Sequence, residues 1–211
     1  MSHAYEPVRL AEADKRSFVS LISRAFAGDP LFLHVFGDSE RDGIAASRVK
    51  TFASFMFDKS FLLEEEIRGV FENDRLLGAY IVEKPRTPSL RLRVRECSLV
   101  RLLIRLWRQT SGRTVIRLNG YMKATRDAAP PWPHHYLIMI GVDPETQGRG
   151  IGRLLLDHLL KSTHEDRRSR GVALDTENVR NVAFYQKFGF VLGSETKSGD
   201  LRVFCMHYYI K

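Results

Sequence analysis

The stretch HHYLIMIGVDPETQGRGIG, His134 to Gly152, decides how this chain is read. Its apolar run Tyr136 to Val142 predicts a buried strand. Asp143-Pro144-Glu145-Thr146 makes a turn. Gln147-Gly148-Arg149-Gly150-Ile151-Gly152 then runs into the helical pattern Leu154, Leu155, Leu156, Leu159, Leu160. Strand, glycine turn and helix start form a phosphate cradle, because glycines let the backbone approach an anion and the first N–H groups of the helix point at it.

Two familiar phosphate loops do not fit. A Walker A loop needs Lys followed by Ser or Thr after its last glycine, and none follows here. A Rossmann fingerprint counted from Gly148 needs a glycine where Arg153 stands. What remains is Gln-x-x-Gly-x-Gly, preceded by Val-x-Pro and followed by an amphipathic helix. Further on comes Asn181-Val182-Ala183-Phe184-Tyr185-Gln186-Lys187-Phe188-Gly189-Phe190. These two motifs, in this order, resemble the acetyl-CoA signature of the GNAT acyltransferase superfamily. Pro133-His134-His135-Tyr136-Leu137 and the Phe-Tyr-x-x-Phe-Gly-Phe run are similar in places to small-molecule acetyltransferases of the puromycin-acetyltransferase kind.

The resemblance implies a mixed α/β (α+β), mostly antiparallel sheet with a V-shaped splay and helices on both faces. It implies acetyl-CoA as the cofactor and direct transfer of the acetyl group to a primary amine of a small molecule in a ternary complex. Main-chain groups of Ile140, Gly141 and Val142 would contact the pantetheine arm as an added strand. Gln147, Gly148, Arg149, Gly150, Ile151, Gly152 and Arg153 would hold the pyrophosphate, with the two arginines adding charge. Tyr185 is the expected general acid for the departing thiolate, since a phenol is neutral near pH 7 and still a donor. Asn178 and Asn181 either cap a short helix or bond the pantetheine amide. For the base, His134 and His135 at the strand mouth and Glu177 past the next strand are the candidates. No metal-ligand spacing occurs.

Other acceptors stay open: a protein or peptide amine, or a small-molecule hydroxyl. So does a non-catalytic acyl-CoA sensor, or a membrane- or RNA-binding module. The net charge of +8 bears on the last of these. Eleven basic residues against two acidic ones between Arg86 and Asp127 carry a net +9, so the rest of the chain is nearly neutral. A basic charge confined to one segment argues against a nucleic-acid reading of the whole protein, and a solvated helix face is the plainer explanation.

The 211 residues fit a single domain, 1–211, with a helical insertion at 86–131. No apolar run reaches the roughly 18 residues of a membrane span, and the N-terminus lacks the pattern of an export signal. Cys97 and Cys205 form no disulfide framework, so a reduced, cytoplasmic monomer or homodimer is expected. Before the central stretch, Val8-Arg9-Leu10 predicts a strand. Asp14 is placed as the cap of a helix through Phe26, Gly28 as its end, and a second helix over 39–59. A hairpin follows, 68–72 and 75–83, turning at Asn73-Asp74. In the insertion, Leu99, Leu102, Leu103 and Leu106 share one helical face and Arg101, Arg105 and Arg108 another. After the cradle helix, closed by Gly171, come strand 172–176, the Tyr185 helix and a last hairpin to Ile210.

Overall fold

The computed structural model describes residues 5–85 and 90–210, and for 90–97 the backbone only. Arg86 and the side chains of Arg91, Arg93, Arg95 and Cys97 therefore lie outside the described residues. The chain runs β1 (Val8–Arg9), α1 (Lys15–Ala25), α2 (Pro30–Phe36), α3 (Gly43–Leu62), β2 (Glu66–Glu72) and β3 (Arg75–Glu83). It continues α4 (Leu90–Gln109), α5 (Gly112–Asp127), β4 (His135–Val142), α6 (Ile151–Glu165), β5 (Gly171–Thr176), α7 (Val179–Gln186), β6 (Val191–Ser198) and β7 (Leu201–Tyr209). The seven strands form one sheet in the order β1-β2-β3-β4-β5-β7-β6. Every pairing is antiparallel except β4 with β5.

Two cores sandwich the sheet, as alternation of side chains along a strand requires. On one face Ala79, Ile81 and Met139 pack under Phe18, Leu21, Ile22, Val49 and Phe57 of α1 and α3. On the other, Leu77, Tyr80, Leu137, Val172 and Leu174 meet Ile151, Leu155, Leu156 and Leu159 of α6 and Tyr185 of α7. Helix α5 lies on the first face at the far side, where Tyr121 packs on Val203 and Cys205 of β7.

The splay has a local cause. Met139 pairs with Ile81 and Leu137 with Val82, leaving Ile138 as an extra residue in β4. Such a bulge bends its strand and increases twist. The parallel pairing of β4 with β5 stops at the same place, with Leu137 opposite Leu174. Beyond it β4 bonds β3 and β5 bonds β7, so a V opens between them.

Several sequence expectations shift in detail. Three helices, not two, precede the hairpin, because Asp29 caps the apolar piece through Leu31 and Phe32 N–H groups and Pro30 fits its first turn. Asp14 does not cap α1; its carboxylate turns back to the Ala11 N–H at 2.7 Å. Helix α3 begins at Gly43, where Asp42 accepts from the Ile44 N–H. In α4, Leu106 is buried but Leu103 is 45% exposed, so the apolar face is narrower than its leucines suggest. Gly171 opens β5 instead of closing α6.

Candidate active site

The cradle sits where β4 hands over to α6. Asp143, with no exposed side-chain surface, anchors it by accepting from Arg24 of α1 and Arg75 of β3, each at 2.8 Å, and from the Glu145 N–H. Burial opposes the Asp143 charge, but the bonds from Arg75 and the Glu145 N–H and the two arginine charges outweigh it and hold the carboxyl below its ordinary range. Gly148 and Gly150 then adopt φ of 83° and 84°, left-handed values that strain other residues. A Cβ on either would meet open space, so the cradle is roomy as well as tightly turned. Gly150 also begins α6 with no side-chain cap, leaving the first N–H groups of Ile151, Gly152 and Arg153 to a ligand. These features fit a pyrophosphate.

The charges around the cradle divide differently from the sequence expectation. The Arg149 N–H bonds the Thr146 carbonyl, and its guanidinium pairs with Glu72 and stacks over Tyr5. Hydrogen bonds from Arg149 and Tyr5 pull the Glu72 carboxyl down to about 2. Arg153 instead lies over Phe188 at 5.7 Å and has no ion pair among the described residues. Gln147 is exposed at the rim. Ile140 and Val142 pack toward α6, while Gly141 lets α1 come close: a Cβ there would meet Phe26 at 3.0 Å. All three lie in the part of β4 that has left β5.

Across the V, Asn178 caps α7 by accepting from the Arg180 N–H at 3.0 Å. The Asn181 amide instead donates to Thr176 Oγ1. Helix α7 carries Tyr185, 5% exposed, between Phe184 and Phe190. No hydrogen bond reaches its hydroxyl among the described residues, yet no fully enclosed polar side-chain atom among them lacks a partner; the hydroxyl thus touches open space. Burial first, then the Asp175, Glu177 and Asp29 carboxylates, push the Tyr185 pKa up. The phenol stays protonated.

Glu177 follows β5 directly. Burial and the nearby Asp175 and Asp29 charges push it up to about 8, against the lowering effect of a bond from Tyr121. Tyr121 also bonds Asp175, which accepts from Tyr136 on its other oxygen. Sequence reading missed Tyr121 and Asp175. The only signals were a tyrosine in a basic helix and an acid in an apolar strand.

His135 requires a correction. It starts β4, and seven residues at about 3.3 Å each put it roughly 23 Å from Val142. Its ring is fully buried, with Nε2 on Asp166 at 3.1 Å and Nδ1 on Thr163 at 2.9 Å. His134 lies at the same end, its Nδ1 on the Trp132 carbonyl. Burial lowers both imidazoles. The gap opens at the opposite end of β4, so neither imidazole lies beside it.

Residues 105–192 match the family described as acetyltransferase (GNAT) domain. A stretch of 68 residues is 34% identical to a protein named 5-NmdU N-acetyltransferase from Pseudomonas phage PaMx11, covering 32% of this chain. The chain spans about half the length of that curated relative, 47%. Among solved structures, a Corynebacterium glutamicum protein described as histone acetyltransferase HPA2 and related acetyltransferase matches at TM-score 0.71 and 18% identity, over 99% of this chain and 97% of that one. The PaiA N-acetyltransferase of Thermoplasma acidophilum, solved in complex with coenzyme A, matches at 0.58 and 13%, over 98% and 99%. The ribosomal-protein-S18-alanine N-acetyltransferase of Escherichia coli matches at 0.54 and 18%, over 99% and 95%. Residues 105–192 thus resemble a GNAT acetyltransferase domain, and nearly the whole chain shares the fold of these solved structures.

Proposed function

We propose that the protein is an acetyl-CoA-dependent N-acetyltransferase that acetylates a primary amine of a small molecule within a ternary complex. One observation carries the reading. The gap between β4 and β5 ends in an uncapped, glycine-lined helix start, with a protonated phenol and a carboxyl raised to about 8 beside it. The backbone of Ile140 to Val142 would hold the pantetheine arm, and the Gly148–Arg153 turn the pyrophosphate. Acetyl-CoA, bound there, supplies an acyl thioester.

The chain's own groups serve the rest. Glu177, titrating near neutral pH, accepts a proton from the incoming ammonium, since only a neutral amine attacks. Tyr185 donates its hydroxyl proton toward the leaving sulfur. Asp29, Asp175 and Glu177 gather three carboxyl groups where a cationic amine would arrive, and each one that ionises supports an amine over a hydroxyl acceptor. A reduced, cytoplasmic setting goes with this reading, in which buried Cys205 stays a free thiol.

The test is calorimetry with acetyl-CoA and with free coenzyme A, followed by thiol release over a panel of small amines, polyamines, aminoglycosides and peptides. Binding of both and turnover of a small amine are expected. No heat with either form of the coenzyme would overturn the reading, and turnover confined to peptides would move the acceptor to proteins.

A further inference from the structure

We propose that Tyr121, delivered by the inserted helix α5, is a positioning residue whose phenol holds the Glu177 carboxyl at the gap and shares one proton between Glu177 and Asp175. The inference deepens the acetyltransferase reading and rests on it for its catalytic meaning.

Three close oxygen–oxygen contacts link Tyr136 to Asp175, Tyr121 to Asp175, and Tyr121 to Glu177. Two phenols supply two protons, and three hydrogen bonds need three. The third proton must sit on a carboxyl. Tyr121 faces one oxygen of each carboxyl, so the proton rests on whichever of Glu177 and Asp175 the phenol is not donating to, and that acid donates to the Tyr121 oxygen. When Glu177 gives up its proton, the single Tyr121 proton faces two carboxylates and can turn to steady whichever needs it.

The surroundings are accounted for on every side. Asp29 comes from the α1–α2 turn, Asp175 from β5, Tyr136 from β4, Tyr185 from α7 and Cys205 from β7. Arg126 of α5 lies over the Tyr136 ring at 4.7 Å and offsets part of the Asp175 charge. Burial pushes the Tyr121 and Tyr136 phenols and the Asp175 carboxyl upward, so this corner retains protons. Tyr121 itself is 8% exposed and fixed by packing on β7 and α2, which makes it a rigid arm.

Carbon-13 NMR of glutamate-labelled protein, with Glu177→Gln to assign the signal, measures the Glu177 carboxyl directly. Wild type should titrate near pH 8. Tyr121→Phe removes a donor and should move the midpoint up. Asp175→Asn removes a neighbouring charge and should move it down. Opposite shifts are something damage to folding does not produce. Given an amine that turns over, the acidic limb of kcat/KM should follow both shifts. A one-unit rise costs Tyr121→Phe about tenfold at pH 7, recovered above the limb. Midpoints that stay put, or move together, overturn the proposal, as does a loss equal at every pH. If no amine is acetylated, the functional reading falls while the carboxyl titration still decides this one.

Discussion

Glu177 gives stability and activity opposite pH trends. Its folded pKa of about 8 lies above the ordinary 4.5, so between those values the folded chain holds a proton that the unfolded chain has lost. Its contribution to stability therefore falls as pH rises through that window and levels off above 8. The ionised form needed for proton removal grows over the same range. Glu177→Gln should accordingly melt higher than wild type at pH 9, with the difference closing toward pH 5, while kcat drops roughly a hundredfold or more. Calorimetric scans at both pH values, paired with turnover, check this. The two arginines at the cradle give a second contrast. Arg149 is already tied to Glu72, whereas Arg153 carries no ion pair among the described residues. Arg153→Ala should weaken coenzyme A binding several-fold more than Arg149→Ala, and the gap should narrow as salt screens it. Equal losses in both variants would show that the Glu72 pair opens on binding.

The cradle is an element with two demands on its glycines, a left-handed backbone and empty space above it. Gly150→Ala strains the first by about 1 kcal/mol and intrudes on the second. Coenzyme binding measured by calorimetry should fall about tenfold or more, a larger effect than that strain alone produces. The loop is held from below by Asp143, which ties it to α1 and β3. Its lowered pKa means its stabilising charge is present above the unfolded carboxylate value and lost as pH falls through the folded one, that is, in acid. Asp143→Asn should lower the melting temperature by roughly 5 °C at pH 7, and by less near pH 3. The cradle was legible in the sequence because strand, turn and helix start are contiguous, and their chemistry is local. Asp143 was legible only as a turn residue, since Arg24 and Arg75 reach it from distant parts of the chain.

At the scale of the whole molecule the same divide holds. Most strands, helices and hairpins follow from periodicity and turn residues, the mixed sheet with helices on both faces is what the resemblance implies, and Tyr185 and Glu177 are candidates from motif and position. What escaped is pairing between separated segments. Tyr121 reaches Asp175 from 54 residues away, and His135 looked near the cradle because a strand's two ends cannot be told apart without knowing which way the site lies. The insertion, a basic surface on its sequence, also sends Tyr121 inward among the acids and buries Leu106 on the α3 side.

The extra residue at Ile138 has a kinetic consequence. It lies where β4 and β5 part, with the glycine cradle running into α6 and the acids close to α5 and the α1–α2 turn. On the proposed function, donor and acceptor would approach this gap from different sides. Coenzyme product should then compete with the acyl donor and not with the acceptor, and a single molecule joining both reactants should bind more tightly than either one.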